Sequence, residues 1–372
     1  MRIGIDASRA NFAHRTGTEW YAFHLTRAFF AYLRPTDEVL LYVKEPLRPE
    51  WGSLPANVHV RVLHWPPRKL WTQLRLSWEM VFHRVDVLFV PAHTIPFIAP
   101  KRTVTTLHDI GFMHAEGLYG VSERAYHRFS AKLALKHCST ILTVSEFSKQ
   151  DICKTFTIDP GRIQVVPNAY DKKAFNREVR DDQKCMTEAQ NLAGVHQPYL
   201  MTIGRIEKKK NTLGLVKAFA ILKQQEKYKD YQLLLVGSEG LGAEEVRTAC
   251  ATLGIRADVI QPGWLAADVV PALMAGARAF VLPSFFEGFG IPVLEAMAVG
   301  TPVVCSNVTS LPEVSGGAAE LVTTDAQAIA DGISRVCTNA SYAEDLRQKG
   351  YDRVKAFSWE SSAKLLAGII LQ

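Results

Sequence analysis

The chain alternates buried-strand patterns with helical patterns, and it does so twice. RIGIDA (2–7) is the first apolar strand, followed by EVLLYV (38–43), VHVRVL (58–63), DVLFV (86–90), TVTTLH (103–108) and TILTVS (140–145). Helical spacing fills the gaps near 19–33, 70–83, 122–137 and 146–156. After RIQVVPNAYD (162–171) the pattern restarts with YLMTIG (199–204), YQLLLVG (231–237), ADVIQP (257–262), ARAFVLP (277–283), TPVVCS (301–306) and AELV (319–322). Helical segments near 211–225, 241–253, 267–275, 292–299 and 325–338 separate them. Apolar strands spaced by helices predict mostly parallel sheets covered on both faces. A chain of 372 residues exceeds the size at which one core usually keeps growing. Two α/β halves are therefore expected, with ligands outside the carboxyl ends of strands and a cleft between the halves. SWESSAKLLAGIILQ (358–372) is a further helix whose destination the pattern leaves open.

Between the halves lies the polar run DKKAFNREVRDDQKCMTEAQN (171–191), an interdomain connection or a solvated surface excursion. Six scattered cysteines form no CxxC pair, so neither a zinc site nor a disulfide scaffold is indicated. MRIGIDASRA carries no signal-peptide pattern, and no charge-free run is long enough to span a bilayer. A reducing, cytoplasmic setting is expected. The formal charge of +6 is mildly basic and suits an anionic partner without selecting one. Nucleic acid is disfavoured, because no basic tract is interleaved with aromatic residues.

Two loops of the second half carry anion-binding chemistry. GRIEKKKN (204–211) joins a strand to a helix, and puts Arg205 and three lysines where the first helical turn presents unpaired N–H groups. An Arg fork and a mobile Lys suit a departing diphosphate, although a solvated basic turn has the same composition, and nothing in the pattern chooses among the lysines. SFFEGFGIPVLEAM (284–297) again runs from a strand end to a helix start. Its glycines allow close backbone approach to an anion, and Pro292 suits the first helical position. Glu295 is then expected in the first turn, near the positive end of the helix, either binding a ligand hydroxyl or serving as an ordinary N-terminal acid. Glu287 stands among Phe285, Phe286 and Phe289 rather than other charges.

In the first half, Gly17 in NFAHRTGTEWY can bring backbone to a phosphate. His108 in LHDIGF sits beside Asp109 at a strand end, where it can donate a hydrogen bond, hold charge, or simply pack or cap. His93, His108, Asp109 and His114 lack compact metal-ligand spacing, and no metal site is expected. GSEGLG (237–242) has the wrong glycine order for a dinucleotide fingerprint and reads as a turn.

Taken together, GRIEKKKN, LVGSEG, PSFFEGFGIPVLEAMAVGTPVVCS and SLPEV resemble the retaining nucleotide-sugar glycosyltransferases of family 4. The resemblance spans essentially the whole chain and is strongest over 199–315. It implies the GT-B fold: an N-terminal Rossmann-like acceptor domain (1–180), a C-terminal donor domain (181–355) facing it across a deep cleft, and a last helix (356–372) crossing back. It also implies roles. Arg205 and Lys210 bind the donor diphosphate; Lys210 is chosen because it precedes Asn211 at the helix start. Glu287 contacts the transferred sugar, with Gly288, Phe289, Gly290 and Ile291 lining the donor, and Glu295 accepts from the ribose hydroxyls. Gly17 approaches the diphosphate, while His108, beside Asp109, meets the sugar and helps support developing positive charge. The family's chemistry is metal-independent and proceeds by front-face attack, so Glu287 is not a nucleophile, unlike the paired carboxylates of glycosidases. This chain departs from the family with one glycine in its first loop and with Lys208 where proline is frequent.

Within that family TLHDIGF and GRIEKKKN look most like bacterial mannosyltransferases that use GDP-mannose, with UDP-glucose, UDP-N-acetylglucosamine and GDP-fucose as alternative donors. The expected acceptor is a glycan or lipid-linked glycan, as in O-antigen or capsule assembly. PPRKLWTQLRLSWEMVFHR (66–84) mixes Trp71, Leu74 and Trp78 with Arg68, Lys69 and Arg75, and suits either a membrane surface or packing on its own sheet. An epimerase of the same fold and a non-catalytic sugar-nucleotide binder are the competing classes.

Overall fold

A computed structural model of the chain describes residues 1–66, 70–114 and 117–372, which leaves Arg68 and Lys69 outside the described residues. The chain divides into two compact units. The first comprises Met1–Met113, Val121–Ala169 and Phe357–Gln372; the second comprises His114–Gly120 and Tyr170–Ala356.

The first unit opens β1 (Arg2–Asp6), α1 (Gly17–Phe29), β2 (Glu38–Val43) and β3 (Val58–Val62). A π-helical stretch, Trp71–Leu76, runs directly into α2 (Ser77–Phe82). Then come β4 (Val87–Val90), β5 (Arg102–Thr106), α3 (Gly111–His114), α4 (Val121–His137), β6 (Thr140–Thr143), α5 (Glu146–Phe156) and β7 (Ile163–Val165). Among the described residues these strands form one seven-stranded sheet in the order β3-β2-β1-β4-β5-β6-β7, with every pair parallel. β1 lies at the switch point, with Ile3 opposite both Val39 and Val87. Its Ile3 and Ile5 are fully buried because helices cover both faces, which is why the strand is apolar without alternation.

The second unit repeats the plan. α6 (Glu178–Asp181) and α7 (Gln183–Ala193) precede β8 (Tyr199–Ile203), α8 (Thr212–Lys223), β9 (Gln232–Val236), α9 (Ala243–Thr252) and β10 (Val259–Gly263). α10 (Val270–Gly276), β11 (Ala279–Leu282), α11 (Ile291–Ala298), β12 (Val303–Ser306), α12 (Leu311–Ser315), β13 (Glu320–Val322), α13 (Ala326–Thr338) and α14 (Ala340–Arg353) complete it. The strand order is β10-β9-β8-β11-β12-β13, all parallel. Both sheets thus follow the doubly wound order, and in the second the reversal falls between β8 and β11.

The last helix, α15 (Trp359–Ile370), belongs to the first unit, as the family resemblance implies. Ser358 caps it by accepting from Ser361 N. Its buried face, Trp359, Ser362, Ala363, Leu366, Ala367 and Ile370, has strict helical spacing. Trp359 stacks on His24 at 5.4 Å, Ser362 Oγ donates to the Pro167 carbonyl at 2.7 Å, and Arg102 donates to the Ile370 carbonyl at 3.2 Å.

Two segments differ from the sequence reading. The polar run 171–191 is no bare connection: Asp182 caps α7, whose Met186, Ala189 and Ala193 are buried, and Arg180 donates to the carbonyls of Ala275 (2.8 Å) and Gly300 (3.2 Å). Three small or flexible apolar residues are enough to dock a helix but too few to show as a periodic stripe. α14 follows α13 after a single Asn339 cap and packs on α11, where a Cβ at Gly350 would lie 3.1 Å from Met297.

Candidate active site

β8 and β11 are neighbours, so the loops that follow them, 204–211 and 283–290, emerge side by side at the switch point. Residues 77 positions apart therefore meet: Lys210 Nζ lies 2.7 Å from Glu287 Oε1. Ser284 Oγ donates to the same oxygen at 2.7 Å. Glu287 is buried, and its charge is held by these two donors.

The backbone that delivers this pair is itself held tightly. Asn211 adopts φ +54°, which asparagine tolerates better than most residues, and its Nδ2 donates to Pro283 O (3.1 Å) and Thr324 O (2.8 Å). The head of α8 is thereby tied to the end of β11. On the other side Ile206 N donates to Ser238 O at 2.9 Å, zipping the loops after β8 and β9 together. Gly237, at φ +140°, is required there, since a Cβ would fall 2.1 Å from the Gly204 carbonyl oxygen. This is what GSEGLG does: it is a close-approach turn, not a cofactor fingerprint.

Structure separates the three lysines that composition could not. Lys208 pairs with Glu245 at 2.8 Å, while Lys209 lies over the Phe286 ring at 5.7 Å. It is Lys210 that reaches Glu287. Arg205 is half exposed, pairs with Glu207 at 3.7 Å, and lies over Gly240, whose added Cβ would meet the guanidinium at 3.4 Å. Arg205 is not brought into the Lys210–Glu287 couple.

The turn Gly288-Phe289-Gly290-Ile291 leads into α11. Ser310 Oγ donates to the carbonyls of Glu287 (2.9 Å) and Phe289 (3.2 Å), and Glu287 N donates to Thr309 Oγ1 at 3.2 Å. Gly290 sits at φ +97°, with space for a Cβ filled by Leu311 at 2.7 Å. The SLPEV segment thus cradles the 283–290 loop, and Ser284, Asn211, Thr309 and Ser310 hold that loop and the Glu287 side chain by contacts to which the sequence reading assigned no role. The asparagine after KKK at the helix start and the serine before LPEV were the available signals.

Glu295 corrects an expectation. α11 begins at Ile291, so Glu295 is its fifth residue, beyond the first turn where the helix field is felt. Burial, with the negative charge of Asp171 second, raises its carboxyl to about 8, so in the free protein it carries a proton at neutral pH.

In the first unit, Gly17 is the first residue of α1, where Thr16 N donates to Glu19 Oε2 at 3.1 Å and Arg9 pairs with Glu19 at 3.3 Å. His108 follows β5, lies edge-on to Tyr21 at 4.7 Å, and donates from Nε2 to the Pro91 carbonyl at 3.2 Å. That bond leaves Nδ1 as the acceptor nitrogen. Burial lowers its pKa to about 4, which favours the hydrogen-bonding role over the charged one among those the sequence leaves open. Asp109 Oδ1 accepts from Gly111 N at 2.9 Å and so caps the short α3. His93 meets His127 at 2.8 Å. Among the described residues no group of three or more His, Cys, Asp or Glu side chains is arranged to hold a metal ion.

Two doubly wound sheets, with the last helix returned to the first unit, are the architecture of a GT-B glycosyltransferase. Residues 16–173 match the model for Glycosyltransferase Family 4, and residues 187–353 that for Glycosyl transferases group 1. The chain belongs to these glycosyltransferases. The O-antigen chain mannosyltransferase B of Escherichia coli is 34% identical over 303 residues, which are 81% of this chain and 76% of that protein. The O-antigen chain mannosyltransferase RfbU of Salmonella typhimurium is 28% identical over 267 residues, 72% of this chain and 68% of that one. Among solved structures, the sucrose-phosphate synthase of Thermosynechococcus elongatus aligns with a TM-score of 0.78 at 21% identity, over 100% of this chain and 98% of that chain. Anabaena HepE in complex with UDP and glucose gives 0.77 at 18%, over 100% and 99%. These structures share the fold. The protein is a glycosyltransferase that takes its sugar from a nucleotide-sugar donor and passes it to a glycan or lipid acceptor.

Proposed function

We propose that the protein is a retaining mannosyltransferase that transfers mannose from GDP-mannose to a hydroxyl of a glycan or lipid-linked glycan in polysaccharide assembly. The observation that carries the sugar assignment is the 34% identity to an O-antigen chain mannosyltransferase over three quarters of both chains. The second unit holds the donor and the first the acceptor.

In this reading Lys210 and Arg205 supply the positive charge that balances the departing diphosphate, in place of a metal cation. When the donor's phosphates draw Lys210 away, the Glu287 carboxylate is freed to accept from sugar hydroxyls. Gly288, Phe289, Gly290 and Ile291 set backbone N–H groups beside the donor at the start of α11. Glu295 accepts from the ribose hydroxyls and gives up its proton to do so. His108, with a neutral ring, contacts the sugar as a hydrogen-bonding partner beside Asp109, and Gly17 lets backbone approach the diphosphate. Glu287 is already engaged by Lys210 and Ser284, which suits a hydrogen-bond acceptor better than an attacking nucleophile.

A panel of GDP-mannose, GDP-fucose, UDP-glucose and UDP-N-acetylglucosamine, scored for binding and slow hydrolysis, tests the donor. Selective turnover of GDP-mannose is expected. Preference for a UDP-sugar overturns the mannose assignment, and failure to recognise any sugar nucleotide overturns the catalytic reading of the site.

A further inference from the structure

The first unit holds a cavity of its own at the carboxyl edge of its sheet. It measures about 170 Å³ and is formed where β1, β2 and β4 end, at the switch point of the strand order. Asp6 ends β1, Lys44 follows β2 and Pro91 follows β4, while the π-helical stretch adds Thr72 and Gln73 and α4 adds Tyr126. His108 donates to the Pro91 carbonyl at 3.2 Å, so the cavity shares a wall with a candidate site residue.

Two charged groups in this cavity have bonding capacity that the fold does not use. Asp6 is buried, and its carboxylate accepts once at each oxygen, from Ser8 N and from Thr72 Oγ1, both at 3.0 Å. A carboxylate offers about four acceptor positions, so about two stay open. Lys44 is half-buried, and its ammonium lies over the rings of Phe12 (5.8 Å) and Trp71 (5.6 Å). Among the described residues it makes no hydrogen bond and no ion pair, and burial lowers its pKa against the pull of Asp6. A desolvated ammonium without a partner weakens a fold, so its place is explained by what the cavity receives. Gln73 Nε2 donates to Tyr126 Oη at 2.8 Å, and Thr94 Oγ1 lies 3.2 Å from the same oxygen, which fixes a polar wall beside the two charges.

The lining chooses the occupant. A hydroxyl both donates and accepts, so an unused ammonium and an unfilled carboxylate in one cavity match neighbouring hydroxyls of a polyol. A phosphate would meet the Asp6 charge, and a hydrocarbon would strand both groups. The Phe12 ring, 41% exposed, offers an apolar face to the C–H side of a sugar ring. A volume of about 170 Å³ lies below that of pockets for drug-sized ligands and suits a single ring.

We infer that Asp6 and Lys44 bind the terminal, neutral hexose of the acceptor glycan, with Phe12 against its ring. The inference deepens the proposed function and rests on its assignment of the acceptor to the first unit, but not on the donor sugar. An acceptor that ends in a sugar comes from an earlier glycosyl transfer, so the enzyme extends a chain and does not start one on a bare lipid phosphate. The experiment is saturation-transfer NMR of the full chain with methyl α-mannoside, methyl α-glucoside and methyl α-galactoside, with GDP and without nucleotide. At least one hexoside is expected to receive saturation on its ring protons, and inorganic phosphate is expected to leave that signal in place. Lys44→Met and Asp6→Asn should each weaken the binding about tenfold or more. Lys44→Met removes an unpartnered charge, so its urea midpoint should equal or exceed that of the wild type. Calorimetry with the nucleotide sugar that the donor panel selects should show donor binding retained in both variants, which reports intact folding. No saturation of any hexoside by a protein that binds its donor overturns the inference and leaves the donor assignment intact. A signal unchanged in both variants overturns it too, since the sugar then sits elsewhere. A lowered urea midpoint for Lys44→Met makes the lysine structural and overturns its assignment. Displacement of the hexoside by inorganic phosphate overturns the inference in favour of an acceptor that ends in phosphate.

Discussion

Glu295→Gln isolates the energetic consequence of burying an acid in α11. In the free protein the carboxyl is raised from 4.5 to about 8, by burial first and by repulsion from Asp171 second. The folded state thus binds this proton more tightly than the unfolded chain does. Its contribution to stability is complete below about pH 4.5, is lost progressively as pH rises, and levels off above about 8. At about 1.4 kcal/mol per pH unit the difference sets a ceiling of about 5 kcal/mol, and the partial exposure of the side chain brings the expected effect down to about 2–3 kcal/mol. The substituted amide cannot ionise, so urea midpoints of the variant should match the wild type near pH 4, exceed it increasingly up to about pH 8, and change little beyond. The proposed ribose contact adds a second readout. If Glu295 ionises to accept the hydroxyls, donor binding should release up to about one proton at pH 7 and almost none at pH 9, measurable by calorimetry in buffers of different ionisation enthalpy. A stability difference between variant and wild type that stays constant from pH 5 to 9 would refute the buried-acid argument.

The Lys210–Glu287 contact predicts non-additive energetics. Lys210→Met strands the buried Glu287 carboxylate with Ser284 alone and should cost about 2–4 kcal/mol, whereas Glu287→Gln should cost about 1, and a double-mutant cycle that shows additivity would remove the pair. Gly290→Ala should destabilise by about 1–3 kcal/mol and depress turnover more than tenfold, because φ +97° and Leu311 at 2.7 Å both oppose a Cβ; unchanged stability would show that the turn relaxes freely. For His108, imidazole nitrogen NMR should show a neutral ring protonated at Nε2 down to about pH 5, with charging centred near 4. Titration near 6.5 would contradict the burial that sets this value.

Much of this could be read from the chain. Strands buried on both faces must be apolar throughout, so RIGIDA, YLMTIG and ARAFVLP were recognisable alone, and the glycines around Glu287 marked a backbone turn. What escaped reading depended on few or distant residues. α7 docks through Met186, Ala189 and Ala193, a stripe too sparse to detect in a polar run. The cradle of Ser310 beneath Glu287 and Phe289 links residues more than twenty positions apart, so SLPEV could be picked out as a motif but its partner could not.

Side-chain hydrophobicity and turn chemistry act locally, so the order of residues alone sets the alternation, the doubly repeated α/β plan and the residue types at each strand end. Which of three adjacent lysines meets Glu287 is a tertiary matter, since it depends on β8 lying beside β11. So are the shifts of two titratable groups: burial raises the Glu295 carboxyl to about 8 and lowers His108 to about 4. Burial is a property of neighbours far along the chain, and only for Glu295 does it reverse the charge state that the intrinsic acidity would give at neutral pH.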